Sequence, residues 1–265
     1  MGLSHPTKSL VLNKQRNPFS FSKYHGTGND FILIDDRDKT FPIRSIEISK
    51  LCHRQYGIGG DGIIFLQSSR EGDFSMRIFN RDGSEAEMCG NGLRCLIQFL
   101  IDLGERKTEF IIETKNANYR CIYKEGIISI DMGVPKIIEE FSSGLLIEVG
   151  VPHLVVFVED LSHFDKEAKD HFDSLGVNIN YAKIDPFGTI HMRTFERGVE
   201  EETFSCGTGA SAVCMAAWSR WGIEGPVQVV FASGEHLQFK LFTEDRILKN
   251  IEMSGSAHHV FSGKI

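Results

Sequence analysis

Apolar and polar residues along this chain fall into two series of short strand-like runs, and each series is broken once by a longer run that is apolar on nearly every face. In the first series residues 31–34 and 63–66 are continuously apolar and 74–79 alternates, while 109–113, 120–123 and 127–131 follow with short polar turns between them. Runs of this kind predict strands. The longer run, 93–103, stops at Gly104 and predicts a helix enclosed by those strands, because a helix with no polar face belongs inside a domain. A short amphipathic helix is expected within 46–56, and the polar, Gly-containing stretch 21–30 reads as a turn feeding the strand at Phe31. Gly133, Val134 and Pro135 mark a boundary.

Beyond that boundary the order repeats. Residues 145–149 and 154–158 predict strands around a turn at 150–153, 163–175 a polar helix or loop, and 177–181 and 190–195 alternating strands. The second all-apolar run, 210–218, closes at Gly222, and 227–231 and 237–242 supply closing strands.

The repetition extends to the letters at the head of each helix. Cys89-Gly90-Asn91-Gly92 and Cys206-Gly207-Thr208-Gly209 are both Gly-rich turns that follow acidic residues, and Phe79-Asn80-Arg81 stands upstream of the first much as Phe195-Glu196-Arg197 does of the second. A cysteine at a helix N-terminus meets unpaired backbone N–H groups and the positive end of the helix dipole, which favour a thiolate and attract anions. Two such turns facing each other would hold a carboxylate between them with one sulfur on each side of the adjacent carbon. A base on one face and an acid on the other is what inversion of a stereocentre by proton transfer requires. The residues alone leave other readings open: structural duplication, or a redox pair if the sulfurs approach closely enough.

Composition narrows the field. The 265 residues are 41% apolar and 25% charged, as in a globular protein, with room for one large or two medium domains. A net charge of −7 offers no footprint for nucleic acid or an anionic membrane, which leaves a small molecule or a protein as partner. No apolar run is long enough to span a bilayer, which takes about 18 to 20 residues. The six cysteines contain no C-x-x-C pair, so neither a disulfide framework nor a zinc site is expected, and reduced thiols suit a cytoplasmic location. Cys95, Cys121 and Cys214 lie within strand or helix patterns and read as core. Residues 1–20 read as a weakly ordered extension. Gly57 to Gly62 satisfies the letters of G-x-G-x-x-G but follows a helix and precedes a strand, the reverse of a dinucleotide site.

The segments His25-Gly26-Thr27-Gly28-Asn29-Asp30-Phe31, Phe79 through Cys95, Gly150-Val151-Pro152-His153 and Glu196 through Ser211 stand in an order that resembles the diaminopimelate epimerase family, from about Phe21 to the C-terminus. The resemblance implies a mixed α+β fold of two pseudosymmetric domains, each a curved, mostly antiparallel, barrel-like sheet around a central helix, with the site in the cleft between them. The first would cover 21–132, joined by 256–265, and the second 133–255. It implies cofactor-independent, metal-free interconversion of L,L- and meso-diaminopimelate in lysine and peptidoglycan precursor synthesis, by a protein that could be a homodimer. Cys89 and Cys206 would be the acid/base pair, and His153 and Glu196 would set their protons. Gly90, Asn91, Gly207 and Thr208 would bind the reacting carboxylate, and Asn29, Asn80, Asn178, Glu196 and Arg197 the rest of the substrate. By residue type alone, Asn29 reads as a loop cap, His153 as a surface or packing residue and Glu196 as a solvated strand end.

Two positions depart from the family pattern. Val151 stands where many members have Asn, and Gly62 where some have Gln. Loss of a polar contact loosens discrimination, so the expected substrate range extends beyond diaminopimelate, to glutamate. The alternatives are a proline-type racemase, or a binding protein that has kept the fold without the reaction.

Overall fold

The structure is a computed structural model that describes residues 18–43, 47–162, 176–195, 202–203 and 205–265. The expectations for residues 1–17, for the helix or loop at 163–175, and for Glu196 and Arg197 lie outside the described residues.

The first half runs β1 (Ser20–Gly26), β2 (Asn29–Asp35), α1 (Ile48–Cys52), β3 (Gly62–Gln67), β4 (Phe74–Asn80), β5 (Glu85–Ala86), α2 (Gly90–Asp102), β6 (Glu109–Glu113), β7 (Asn118–Lys124) and β8 (Ile127–Asp131). The second runs β9 (Lys136–Phe141), β10 (Gly144–Val149), β11 (Val151–Phe157), β12 (Asn178–Ile184), β13 (Ile190–Phe195), β14 (Glu202–Thr203), α3 (Gly207–Trp221), β15 (Val227–Phe231), β16 (His236–Glu244) and β17 (Ile247–Gly255). A last strand, β18 (His258–Lys264), returns to pair with β1 in the first half.

Pairing makes the duplication explicit. From β1 the ladder runs β2, β3, β4, β6, β7, β8, and from β10 it runs β11, β12, β13, β15, β16, β17. Antiparallel pairing of β8 with β17 joins the two ladders into one sheet. In each ladder the second and third strands, and the fourth and the strand after the short one, are parallel. Parallel neighbours need a crossover. The crossover from β4 to β6 carries α2, and that from β13 to β15 carries α3.

Both crossover helices are buried along most of their length, as an all-apolar run requires. The polar exceptions on α2 are partnered: Asp102 accepts from Tyr24 Oη at 2.6 Å and from Gln98 Nε2 at 2.9 Å. Glycine stops both helices, Gly104 at φ +99° just beyond α2 and Gly222 at φ +66° capping α3. One hydrophobic cluster runs from Leu96 and Phe110 through Ile130 and Met253 to Val213 and Phe239, so the halves share a core across the β8–β17 junction. Among the described residues no helix is long and apolar enough to cross a membrane.

Several expectations are revised. Residues 20–26 form a strand rather than a turn, and the reversal is confined to Thr27 (φ +51°) and Gly28 (φ +79°), a two-residue hairpin with both residues left-handed. Gly150 (φ +74°) turns the chain alone, which leaves Val151, Pro152 and His153 inside β11 instead of on a loop. The amphipathic helix of the first half spans only Ile48–Cys52. Strands β9 and β18 carry almost no buried side chains and so show no periodicity. In β17 a register shift opposite Phe242 and Thr243 lets Leu248 and Ile251 both face inward although they are an odd number of residues apart.

Candidate active site

Cys89 and Cys206 are the N-caps of α2 and α3, each with extended backbone (φ −146°, ψ 117° and φ −132°, ψ 109°), and each sulfur accepts from the backbone N–H three residues on, Gly92 or Gly209, at 3.4 Å. In both halves the cysteine thus does the capping that Ser or Asp usually does.

The two helix starts meet. Asn91 Nδ2 donates to Ser205 Oγ at 2.9 Å and to Ser205 O at 3.3 Å, Ser205 Oγ lies 2.9 Å from Thr27 Oγ1, and Thr27 Oγ1 accepts from Arg94 Nη2 at 2.9 Å. All four side chains are buried. The left-handed backbone of Thr27, costly for a β-branched residue, is held by these bonds. Met253 of β17 fills the space between the helices: a Cβ on Gly90 would stand 2.8 Å from Met253 Cε, and one on Gly207 2.8 Å from Met253 Sδ. Arg94 is fully buried, donates otherwise to Ser256 O at 3.3 Å and Met253 Sδ at 3.9 Å, and among the described residues pairs with no carboxylate. Burial pulls its guanidinium down to about 10, and it still carries positive charge behind the helix starts.

On the Cys206 side a chain of polar groups, all buried except the half-buried Thr208, reaches the sulfur. Thr208 Oγ1 lies 3.4 Å from Cys206 Sγ and 3.0 Å from His153 Nε2, and His153 Nδ1 lies 3.2 Å from Asn180 Nδ2. Asn180 Nδ2 also donates to Leu154 O at 3.3 Å, and its Oδ1 accepts from Thr194 Oγ1 at 3.1 Å. Burial pushes His153 down to about 4, so the ring is neutral at physiological pH.

On the Cys89 side the partner is Asn29, at the start of β2. Cys89 Sγ lies 3.8 Å from Asn29 Oδ1, which also accepts from Asn91 Nδ2 at 3.3 Å. Asn29 Nδ2 donates to Asp61 Oδ2 at 2.8 Å, and Asp61 and Asp30 both pair with Arg54 at 2.8 Å.

The structure therefore gathers Cys89, Asn29, Gly90 and Asn91 with Cys206, Gly207, Thr208 and His153. Asn178 opens β12 in register with His153, and Asn80 ends β4 in register with Gly62, exposed, with its Nδ2 on Ser84 Oγ at 3.0 Å. A side chain at position 62 is sterically blocked, since a Cβ there would lie 2.5 Å from Phe79 O. Sequence reasoning missed Thr27, Arg94, Asn180, Thr194, Ser205 and Met253. Aligning the two repeats would have flagged two of them, because Asn180 and Thr194 pair across β12 and β13 as Ile64 and Ile78 do across β3 and β4.

The family model described as diaminopimelate epimerase matches residues 21–138 and 145–260. The chain is 36% identical to the diaminopimelate epimerase of Flavobacterium psychrophilum, covering 92% of this chain and 98% of that one. With the Nitratiruptor enzyme of the same name the identity is 38%, covering 87% and 96%. Among solved structures, a PhzF-family phenazine biosynthesis protein of Bacillus anthracis superposes with a TM-score of 0.73 at 18% identity, covering 94% of this chain and 99% of that one. A hydroxyproline epimerase from Agrobacterium vitis does so with a TM-score of 0.69 at 16% identity, covering 94% and 91%. At those identities the structural likeness speaks for the fold.

Proposed function

The chain belongs to the diaminopimelate epimerase family, and we propose that Cys89 and Cys206 carry its reaction as a two-base pair. The protein is a pyridoxal-phosphate-independent diaminopimelate epimerase, an isomerase of lysine biosynthesis. The reading of its site rests on one observation: two cysteines cap two buried helices, and the first turn of one is tied by the bond from Asn91 to Ser205, the residue before the cap of the other.

In this reading the substrate's α-carboxylate lies against the backbone N–H groups of Gly90, Asn91, Gly207 and Thr208, where both helix dipoles favour negative charge. One sulfur, as thiolate, removes the α-proton, and electron density moves into the carboxylate. The buried Arg94 and the two helix starts favour the extra charge. The other sulfur, as thiol, returns a proton to the opposite face, so the thiol and thiolate have exchanged places after each turnover. The glycines at positions 90 and 207 leave room for Met253 between the helix starts, which lets the two N-termini come together. His153 takes no proton at neutral pH and acts as a hydrogen-bonding group. Asn29, Asn80, Asn178, Glu196 and Arg197 are assigned to holding the substrate, and a cytoplasmic location accords with six cysteines outside disulfides.

Replacing Cys89 or Cys206 by Ser tests the pair. Each variant is expected to lose about 10²- to 10⁴-fold in epimerisation, the usual worth of a positioned acid or base. Wild-type turnover by either variant would overturn the reading.

A further inference from the structure

The fold is symmetric about the two cysteines and the chemistry behind them is not. Register places Phe31, Ile64 and Ile78 in the first half where His153, Asn180 and Thr194 stand in the second. Ile64 and Ile78 pack under Gly92, whose added Cβ would meet Ile64 Cδ1 at 3.0 Å and Ile78 Cδ1 at 3.2 Å, and Asn180 packs under Gly209, whose added Cβ would meet Asn180 Oδ1 at 2.3 Å. Three polar side chains, each at most 1% exposed, therefore occupy a site that its counterpart fills with hydrocarbon. Burying them is unfavourable unless every bond is made, which invites the question of what the bonds accomplish.

Their directions can be deduced. The carbonyl of Leu154 only accepts, so the Asn180 atom facing it is Nδ2, and Oδ1 faces the Thr194 hydroxyl. The second Nδ2 hydrogen points at His153 Nδ1, which must accept. A neutral imidazole that accepts at Nδ1 carries its proton at Nε2. That proton is donated to Thr208 Oγ1, which leaves the Thr208 hydroxyl hydrogen for Cys206 Sγ. On the other side Asn29 is fixed by Asp61, which accepts from its Nδ2, so an oxygen that only accepts faces Cys89. A donor favours the thiolate and an acceptor favours the thiol. The capping N–H of Gly92 or Gly209, 3.4 Å from its sulfur in both halves, does not distinguish them.

We propose that Asn180 is a positioning residue which, through His153 and Thr208, makes Cys206 the resting thiolate and leaves Cys89 the resting thiol. The proposal rests on the two-cysteine reading above. It assigns the first proton abstraction by free enzyme to Cys206. The titratable and charged groups around the pair are His153 on β11, Arg94 and Cys95 on α2, and Lys23, Asp30, Arg54 and Asp61 behind Asn29, with Glu196 and Arg197 outside the described residues. Arg94 interacts electrostatically with Cys89 and favours a thiolate there. The proposal holds that the Thr208 donor outweighs it.

Alkylation of the intact protein by iodoacetamide across pH 5–9, quantified for each cysteine by peptide mass spectrometry, reads the proton distribution without turnover. The pH of half-maximal rate, unlike the rate itself, is insensitive to how accessible each sulfur is. In the unmodified sequence Cys206 is expected to reach half-maximal rate at lower pH than Cys89. Thr208→Val and Asn180→Ile should each move the Cys206 midpoint upward by about one pH unit, a tenfold loss of thiolate, leave Cys89 in place, and Thr208→Ser should restore it. A Cys89 midpoint at or below that of Cys206, or a Cys206 midpoint indifferent to Thr208→Val, would overturn the proposal. Thr208→Val decides even if Asn180→Ile does not fold. Turnover by the serine variants tests the parent reading separately, so loss of turnover in both combined with an unmoved Cys206 midpoint would sink only this inference.

Discussion

Asn91, two residues past the first cysteine, donates from Nδ2 at 2.9 Å to the hydroxyl of Ser205, the residue before the second cysteine. The two cysteine turns are thus bonded to each other through side chains adjacent to the cysteines. Ser205 Oγ also bonds Thr27 O at 2.9 Å, so Ser205→Ala strips a partner from buried groups on both sides. The expected cost is about 1–3 kcal/mol, read from the urea midpoint. A double-mutant cycle with Asn91→Ala should return a coupling of about 0.5 kcal/mol or more, and additivity would show the bond to be idle.

Equivalent glycines should respond unequally. An alanine Cβ at position 209 would lie 2.3 Å from Asn180 Oδ1, which is held by Thr194, whereas at position 92 it would meet isoleucine methyls at 3.0 and 3.2 Å that can turn aside. Gly209→Ala is expected to cost about 1–3 kcal/mol and to lower kcat in the fraction that folds, with Gly92→Ala milder on both counts. Equal penalties in thermal unfolding and kinetics would contradict the packing described.

Stability should depend on pH through His153. Its folded value is pushed down to about 4 by burial from an ordinary 6.5, so between those limits the unfolded chain binds the extra proton. The stabilisation is complete above about pH 6.5 and is lost as pH falls toward 4. His153→Gln, which cannot titrate, should flatten the slope of unfolding free energy in that window relative to the parent, and an identical slope would mean that the imidazole is not buried as a neutral group.

Arg94 reaches Thr27 Oγ1, Ser256 O and Met253 Sδ with three different nitrogens. A lysine ammonium is a single point and cannot span them. Arg94→Lys should therefore lose about 1–3 kcal/mol despite keeping its charge, measured by urea unfolding, and should raise KM because the Thr27 turn that meets Ser205 relaxes.

Val151 is 40% exposed at the start of β11, two residues before His153. If its apolar side chain loosens discrimination, α-proton exchange in deuterated water should be detectable with L-glutamate, and Val151→Asn should raise the preference for diaminopimelate over glutamate by about tenfold, the worth of one polar contact. Absence of exchange at high enzyme concentration would refute the broader range.

The duplicated helices and their cysteine caps were legible because an all-apolar run headed by Cys-Gly and ended by Gly has few other interpretations. Most strands were legible from alternation. The exceptions have identifiable causes: β9 and β18 bury too little to alternate, and β17 changes phase at a bulge. The polar chain behind Cys206 was hidden for a different reason. Asn178 and Asn180 share one face of β12, the first at the strand end and the second one step deeper, and only register distinguishes a residue at the mouth from one beneath a helix. Thr27, Arg94 and Ser205 come together from three separate stretches of chain, a convergence that no local pattern encodes.

The pairing of β18 with β1 joins residues as distant as Ser20 and Lys264, and Ser22 Oγ meets Ser262 Oγ from 240 positions along the chain. During synthesis β1 emerges early and its outer edge has no partner until the ribosome has translated the whole of the second half. Unpaired edges invite association with other chains, and so distant a closure is slow to find. Nascent protein should therefore dwell in a form whose first sheet is open on one side, and the demand on chaperones should fall only when residues 258–264 clear the exit tunnel.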